Sequence, residues 1–482
     1  MISKALKKYR SMPVQAKASI WFVICSFLQK GISVITTPIF TRLLNKFEYG
    51  RYNTFNSWLS IVSVIITLNL YSGVYTQGLI KYSDDRKAYS SSLQGLCLTL
   101  VLIWTGVYAF FHTTINSLFS LTTVQMLAML IMIWASAAFN FWSVEQRVEY
   151  RYKALVVATL IVSLAKPIVS IIFVVLADDK VTARILGLAF VEIVAYTGFF
   201  AVQMKRGKTF YSKKFWKHAL MFNLPLVPHY ISQTVLSSSD RIMIDKMIGP
   251  DAAGIYSLAY SLSLMMTLFN QSLTRAIEPW LYSEIRAGRE KNIAPVVYPC
   301  FILIAILNIL LMAFAPEIVA VFAPAEYYEA IYVIPPVTMS VYFMFMYTFY
   351  AVFEFHFEKT KYTMVATTAG AALNVLLNFV FIKRFGYIAA GYTTLVCYIL
   401  YAAFHYIAMQ RLYDKNVGKG SVYNLKIILA ITGAFMGVGF LFLISYYNFY
   451  LRYMLILLII AILFIKRKKL TEVVKSLINV KG

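Results

Sequence analysis

The chain has 482 residues, of which 60% are hydrophobic and only 14% are charged. A soluble domain of ordinary composition carries about a quarter charged residues, so this composition excludes a soluble globular protein and indicates a polytopic membrane protein. The net charge of +24 does not indicate nucleic-acid binding here, because basic residues accumulate in the cytoplasmic loops of membrane proteins.

Apolar segments long enough to cross a bilayer, about 20 residues each, recur along the whole chain. They predict an all-α fold with fourteen transmembrane helices, and most of the 45 Lys and Arg residues fall on the side of the two termini. That bias places both termini in the cytoplasm. The predicted spans are 17–41, 54–80, 90–112, 123–144, 154–177, 183–204, 219–239, 252–277, 294–315, 329–353, 362–382, 386–410, 425–447 and 451–465.

The spans group into two lobes. Residues 1–204 form a predicted N-lobe of six spans, and residues 219–410 form a C-lobe of six. The segment 205–218, KRGKTFYSKKFWKH, is a cytoplasmic amphiphilic linker whose Lys, Trp and Phe suit an anionic membrane surface. A cytoplasmic loop, 411–424, leads to 425–482, which holds the last two spans and a basic cytoplasmic tail.

One connector occurs in both lobes. Thr41–Ser57, TRLLNKFEYGRYNTFNS, aligns with Asp245–Ser261, DKMIGPDAAGIYSLAYS, and Gly50 then falls on Gly254. We expect both glycines to mark a turn between two spans. An internal repeat of this kind predicts two homologous halves, and two membrane-embedded halves are typical of transporters.

Polar side chains recur at helical spacing on predicted spans 1, 2, 7 and 8, so that they share one face of each helix. The simplest arrangement turns these faces toward a shared water-filled cavity. The alternative is that they only form hydrogen bonds between packed helices. The polar residues assigned to the cavity are Ser33, Thr37, Asn56, Ser60 and Gln271.

Three basic residues lie within spans. Lys30 is in the middle of span 1, Arg275 is near the inner end of span 8, and Lys166 precedes Pro167 in span 5. A charge at this depth costs about 2.5–3.5 kcal/mol or more, so it indicates function or a structural pair such as Lys30 with Glu192. Lysine and arginine bind phosphate, and the surrounding Ser, Asn and Gln suit sugar hydroxyls. The pattern therefore favours an anionic, hydroxyl-rich ligand.

Carboxylates offer a way to drive transport with a proton or sodium gradient. Glu192, Glu278 and Glu354 are the candidates for ion coupling, and the alternative is that each neutralises a basic side chain. Arg42 and Lys246 occupy aligned positions in predicted outside loops and are candidates for an outer gate. No catalytic motif or metal-ligand spacing is found, so neither a catalytic residue nor a bound cofactor or metal is expected, and the four cysteines are expected in the core.

The stretches TPIFTRLLNKFEYGRYNTFNSW and SSSDRIMIDKMIGPDAAGIYSLAYSLS resemble the polysaccharide-exporter (Wzx-type) branch of the MOP flippase superfamily. The resemblance runs over spans 1 to 12, and its most specific parts are the two connectors and the Asp240–Arg241 pair. It implies two pseudo-symmetric, MATE-like lobes of six helices, to which the chain adds a C-terminal helix pair. The family's cationic central lumen matches Lys30 and Arg275 by position.

The resemblance implies a flippase of the bacterial inner membrane. Its expected substrate is an undecaprenyl-pyrophosphate-linked oligosaccharide repeat unit of O-antigen, capsule or a similar glycan, moved from the inner to the outer leaflet while the lobes rock between inward-open and outward-open states. Membrane lipids, the polysaccharide polymerase and the chain-length regulator are the implied partners, and no nucleic acid is expected.

Three alternatives remain open at this point. A lipid II flippase of the same superfamily also has fourteen spans and a cationic cavity, although a richer set of arginines in spans 1 and 2 would be expected. A cation-coupled drug antiporter would need acidic residues to dominate the lumen. A membrane glycosyltransferase or polymerase would need a large external loop or an exposed acidic motif.

Overall fold

The computed structural model describes residues 9, 11–418 and 420–467, and within these ranges the chain is helical and contains no strand. The predicted all-α membrane fold is confirmed. The first residues of the chain and most of the predicted basic tail lie outside the described residues.

The helices follow one another through short turns. In chain order they are α1 (Val14–Leu43), α2 (Lys46–Thr67), α3 (Gly73–Lys81), α4 (Arg86–Phe119), α5 (Thr123–Val148), α6 (Tyr152–Leu176), α7 (Lys180–Gly207), α8 (Lys213–Asn223), α9 (Val227–Met247), α10 (Pro250–Leu264), α11 (Thr267–Arg286), α12 (Ile293–Ala313), α13 (Ala315–Phe322), α14 (Ile334–His356), α15 (Lys361–Phe385), α16 (Ile388–Asn416), α17 (Leu425–Ser445) and α18 (Phe449–Ile465). Short 3-10 helices lie at Ser83–Asp85, Leu224–Leu226, Glu290–Asn292 and Ala325–Tyr332.

Every predicted span overlaps helical structure, but the predicted continuous spans 54–80 and 219–239 are wrong: the former is divided between α2 and α3, and the latter between α8 and α9. Among the described residues, eleven helical segments are long and apolar enough to cross a bilayer, with α10 and α11 counted as one. The other three predicted spans correspond to α2, α9 and the 17-residue α18. Helices α2 and α9 extend into charged sequence that the predicted spans left out, which lowers their mean hydropathy.

The two connectors have the same helix boundaries. In the first, α1 ends at Leu43 and α2 begins at Lys46; in the second, α9 ends at Met247 and α10 begins at Pro250. These positions coincide in the sequence alignment of the repeat. The duplication inferred from the sequence therefore extends to the backbone.

The turn residues of the connectors differ from the prediction. Gly50 and Gly254 lie inside α2 and α10, so the expectation that they mark the turn is wrong. In the first connector Asn45 caps α2: its Oδ1 accepts from the Glu48 amide at 2.9 Å, and Glu48 Oε2 accepts from the Asn45 amide at 2.9 Å. In the second, Gly249 adopts a φ of 137°, which favours glycine, directly before the first residue of α10.

The chain divides into two compact units. Unit 1 extends to Ser238 and unit 2 begins at Ser239, so the boundary lies within α9. It does not fall in the predicted linker 205–218. The residue ranges proposed for the two lobes stay a prediction.

In unit 1, α7 is the central helix and packs against α4, α5 and α6, while α1 packs against α6. The segment predicted as a linker is folded onto α4 rather than extended. Any Cβ at Gly95 would lie 2.3 Å from the carbonyl oxygen of Phe210, and Trp216 Nε1 donates to the Ser92 carbonyl at 2.9 Å. Only glycine permits this close approach.

A buried polar network joins helices of unit 1. Gln203 Nε2 of α7 donates to Glu145 Oε2 of α5 at 2.5 Å, and Gln94 Nε2 of α4 donates to Gln203 Oε1 at 2.7 Å. Tyr75 of α3 donates to Ser90 Oγ at 2.7 Å. Because a buried polar group without a partner is costly, this network fixes the mutual positions of four helices.

In unit 2, α14 is buried on almost all sides. It packs against α10, α11, α12, α16 and α17, and α18 packs against α17. An apolar crevice of about 500 Å³ lies where α14, α16 and α17 meet, lined among others by Phe343, Ile407 and Met436. The four cysteines are buried and free, as expected from the sequence.

Candidate functional site

The polar face of α1 and α2 belongs to unit 1. Lys30 lies near the midpoint of α1 and is partly exposed, and Ser33, one turn further, is exposed. Thr37 Oγ1 donates to the Ser33 carbonyl at 2.9 Å. On α2, Ser60 Oγ donates to the Asn56 carbonyl at 2.9 Å. Because these hydroxyl protons are used within their own helices, their oxygens are left to accept hydrogen bonds from a ligand.

Lys166 and Glu192 form an ion pair in unit 1. The Nζ–Oε1 distance is 2.6 Å, and Ser136 Oγ donates to the second carboxylate oxygen at 2.9 Å. The ammonium also lies 5.5 Å from the ring centroid of Tyr196. Lys166 is 29% exposed and Glu192 only 5%. The pair joins α6 to α7, so Glu192 neutralises Lys166, one of the two roles considered for it.

This geometry gives a stability prediction. Lys166→Met leaves the Glu192 carboxylate buried without its partner, which is expected to cost about 3–5 kcal/mol and to lower the melting temperature of the purified protein. The double variant Lys166→Met/Glu192→Gln removes both charges and is expected to recover most of the loss. A double variant no more stable than the single one would show that the ion pair does not set the stability of this helix pair.

The polar residues of predicted span 8 fall into two groups. Gln271 and Arg275 on α11 are exposed and Glu278 is partly exposed. In contrast, Asn270 is buried, and its Nδ2 donates to the Val341 carbonyl of α14 at 3.0 Å. The predicted continuous helix is interrupted between α10 and α11; no proline or glycine marks this position. Part of the polar face predicted for span 8 therefore packs against a neighbouring helix instead of lining a cavity.

The two gate candidates lie near the carboxyl ends of equivalent helices. Arg42 on α1 and Lys246 on α9 are both exposed. Arg42 Nη1 donates to the Pro38 carbonyl of its own helix at 2.9 Å. Their role as an outer gate stays a prediction.

Arg184 of α7 is a charged residue that the sequence analysis missed. Its guanidinium carbon lies 3.7 Å from the ring centroid of Phe40 and 3.5 Å from that of Tyr52, and the side chain is almost fully buried. Stacking on aromatic faces stabilises a desolvated guanidinium. Tyr52 lies in the first connector and Phe40 directly precedes it. Arg184 therefore holds that connector against α7.

Glu354 of α14 is fully buried in unit 2. Its Oε1 lies 2.6 Å from Nδ1 of His405 on α16, which is also fully buried. Thr363 Oγ1 donates to the other carboxylate oxygen at 2.8 Å. Glu354 is thus held by two neighbouring helices, and His405 is a partner that the sequence analysis did not identify.

A second buried carboxylate of unit 2 is Asp240, which is 1% exposed and is surrounded by polar side chains. Asn378 Nδ2 donates to Asp240 Oδ1 at 2.6 Å, while Tyr256 and Thr394 donate to Oδ2 at 2.7 and 2.8 Å. Asn374 Oδ1 in turn accepts from Asn378 Nδ2 at 3.3 Å. The four helices α9, α10, α15 and α16 supply these residues, and Asn378, Tyr256 and Thr394 donate to Asp240 as neutral side chains.

The sequence contains the residues of this cluster, but the span prediction separated Asp240 from them. Predicted span 7 ended at residue 239, which placed Asp240 in a loop, whereas α9 continues to Met247. Asn374 and Asn378 lie one turn apart on a single span. The pattern that identifies the cluster is a carboxylate, Asp240, directly after a run of serines, together with Asn374 and Asn378 on another span.

Oxygen is the preferred ligand atom of hard cations. Asp240 contributes a carboxylate, and Asn378 and Thr394 contact it through an N–H and an O–H donor. The described residues contain no group of three or more His, Cys, Asp or Glu side chains that would hold a metal. The Asp240 carboxylate is the group of this cluster that could hold a monovalent cation or a proton.

Comparisons with known proteins agree with this fold. Residues 16–285 match the family model described as polysaccharide biosynthesis protein, and residues 225–380 match the MatE model. A protein of the Lsg locus of Haemophilus influenzae is 23% identical over 406 residues, which cover 77% of this chain and 93% of that protein.

Solved structures of transporters share the fold. The lipid II flippase MurJ in an inward closed conformation has a TM-score of 0.62 at 15% identity and covers 93% of this chain and 99% of its own. An inward-facing multidrug resistance MATE transporter of the MOP superfamily has a TM-score of 0.60 at 12% identity, covering 80% of this chain and 96% of its own. A MOP superfamily transporter from Pyrococcus furiosus has a TM-score of 0.56 at 12% identity, covering 83% and 96%.

The first family model spans more than half of the chain, and the helices it covers include both connectors. The chain therefore belongs to the polysaccharide biosynthesis protein family, and it shares its fold with solved structures of MOP superfamily transporters.

Proposed function

We propose that this protein moves undecaprenyl-pyrophosphate-linked oligosaccharide repeat units across the bacterial inner membrane for surface-polysaccharide biosynthesis. The observation that carries the proposal is the match to the polysaccharide biosynthesis family together with Lys30, a basic residue at mid-helix on the polar face of α1. The coarser statement, a multi-pass membrane transporter, already follows from the family and the fold.

The polar face suits both parts of the substrate head group. Lys30 provides a point charge for pyrophosphate. The role predicted for Arg275, binding phosphate oxygens in pairs, stays a separate prediction. The oxygens of Thr37 and Ser60 accept hydrogen bonds from sugar hydroxyls, because their own protons are used within the helix. A cationic drug would require an acidic face, whereas the polar face of α1 and α2 carries Lys30 and hydroxyl groups.

Ion coupling belongs to the Asp240 cluster in this proposal. A cation binding there would neutralise the Asp240 carboxylate, which accepts hydrogen bonds from Asn378, Tyr256 and Thr394, so occupancy would change the electrostatics where four helices meet. The predicted coupling carboxylate Glu192 is paired with Lys166 in the structure, which favours a structural role for it. A carboxylate oxygen suits a hard cation such as sodium, and a proton is the alternative outcome.

Reconstitution tests the proposal directly. The purified protein in liposomes is expected to expose an undecaprenyl-pyrophosphate-linked oligosaccharide to a membrane-impermeant glycosidase within minutes, and to act more slowly on lipid II. Transport of lipid II alone would assign the chain to that flippase function. Export of a cationic dye without lipid-linked oligosaccharide transport would support the drug-antiporter alternative instead.

A further inference from the structure

A groove on unit 1 combines basic and apolar side chains. It lies where the end of α3 meets α8 and has a volume of about 630 Å³. Ile80 and Met221 are 64% and 68% exposed, an arrangement that is favourable only when lipid or another apolar ligand covers them. The residues that line the groove are Gln77, Ile80, Lys81, His218, Met221 and Phe222.

Three basic side chains converge on the ring of Tyr82 beside this groove. Lys81 Nζ lies 5.6 Å and Lys214 Nζ 4.9 Å from the ring centroid, and the His218 ring meets it edge-on at 5.3 Å. Among the described residues, no carboxylate forms an ion pair with either lysine. Burial, and secondarily the charge of Lys81, lower the pKa of His218, as expected near positive charge that is not neutralised.

His218 also has an unused polar atom. Its Nδ1 is buried and has no hydrogen-bond partner within the part of the chain that the structure describes. Such a group costs about 1–3 kcal/mol when it stays unsatisfied. An anionic headgroup in the groove would neutralise the adjacent lysines beside the His218 ring.

We propose that the groove binds one anionic phospholipid of the surrounding membrane. Lys81, Lys214 and His218 contact the headgroup phosphate, and an acyl chain lies along Ile80 and Met221. A free phosphate would leave that apolar wall uncovered. The inference concerns a site on α3 and α8 and does not depend on which substrate the protein transports.

The construction of α8 favours a membrane lipid as the occupant. Phe215 and Ala219 pack inward and are buried, whereas Lys213 and Lys217 are exposed on the same helix. A basic amphipathic helix of this kind is typical of an anionic membrane surface, where each lysine contributes about 1 kcal/mol of attraction. The charge of the helix is therefore complementary to an anionic leaflet.

Lipid binding to the full-length protein in neutral detergent tests the proposal. Native mass spectrometry is expected to show one tightly retained dioleoyl phosphatidylglycerol, with affinity at least ten-fold higher than for dioleoyl phosphatidylcholine. The variant Lys81→Gln/Lys214→Gln is expected to bind phosphatidylglycerol roughly thirty-fold more weakly, since it loses two lysine contacts. Its melting temperature without lipid is the folding control.

A matched variant and two competitors complete the test. Lys359→Gln/Lys361→Gln removes the same charge from exposed positions of unit 2 and is expected to keep full affinity. Glycerophosphoglycerol or inorganic phosphate is expected not to displace the lipid. Equal affinity of both double variants, displacement by the soluble anions, or stronger retention of undecaprenyl phosphate than of phosphatidylglycerol would each overturn the assignment.

Discussion

Lys30→Ala is expected to reduce transport of the lipid-linked oligosaccharide by at least about thirty-fold in proteoliposomes. Removing the charged partner of a desolvated phosphate costs about 2 kcal/mol or more, and Lys30 is the charge nearest the middle of the polar face of α1. Lys30→Arg keeps the charge and is expected to retain part of the activity. The measurement is the initial rate of glycosidase accessibility at equal amounts of reconstituted protein.

The matched control for Lys30 is Lys153→Ala. Lys153 is an exposed lysine in the first turn of α6, so its removal lowers the net charge equally without touching the polar face. Full transport by Lys30→Ala, with protein level unchanged, would remove Lys30 from the substrate path. Surface-glycan export in cells provides the same comparison without purified substrate.

Asp240→Asn is expected to abolish the response of the protein to its coupling ion while leaving it folded. Asparagine keeps the size of the side chain and an oxygen acceptor for Tyr256 and Thr394, but it removes the charge that attracts a cation. In the wild type, NaCl is expected to raise the melting temperature relative to KCl or choline chloride, because a ligand that binds only the folded state stabilises it. In the variant this difference is expected to vanish, and gradient-driven transport to fall more than about ten-fold, or 1.4 kcal/mol.

The control for Asp240 is Asp251→Asn, at an exposed carboxylate in the first turn of α10. It is expected to keep both the sodium response and transport. If wild-type transport follows a pH gradient and ignores sodium, but still requires Asp240, the coupling ion is a proton. Normal driven transport by Asp240→Asn would refute a coupling role for the cluster.

The sequence predicted the fold well because membrane burial leaves a strong pattern. Long apolar runs located the eleven helical segments of the described residues that are apolar and long enough to cross a bilayer. The repeat located two equivalent helix boundaries near residues 43 and 247. Local turn chemistry was harder to predict. Gly50 looked like a turn residue, but the capping box of Asn45 and Glu48 starts α2 earlier.

The candidate site was predicted only in part, because pairing between distant helices leaves no spacing signal. Lys166 and Glu192 lie on different helices, and nothing in either segment shows that they meet at 2.6 Å. Asp240 was misplaced because a charged residue at the end of an apolar run resembles a loop. Its burial depends on Asn378 and Thr394, which are distant in sequence and satisfy its oxygens.

Tyr52 and Tyr256 occupy the same position of the repeated connector, yet they contact opposite charges. The ring of Tyr52 lies 3.5 Å from the Arg184 guanidinium, whereas the hydroxyl of Tyr256 donates to Asp240 at 2.7 Å. A tyrosine side chain can contact either charge, since its ring face attracts cations and its hydroxyl donates hydrogen bonds to anions. The repeat therefore uses one residue type in two ways: Tyr52 anchors a guanidinium, and Tyr256 satisfies a buried carboxylate.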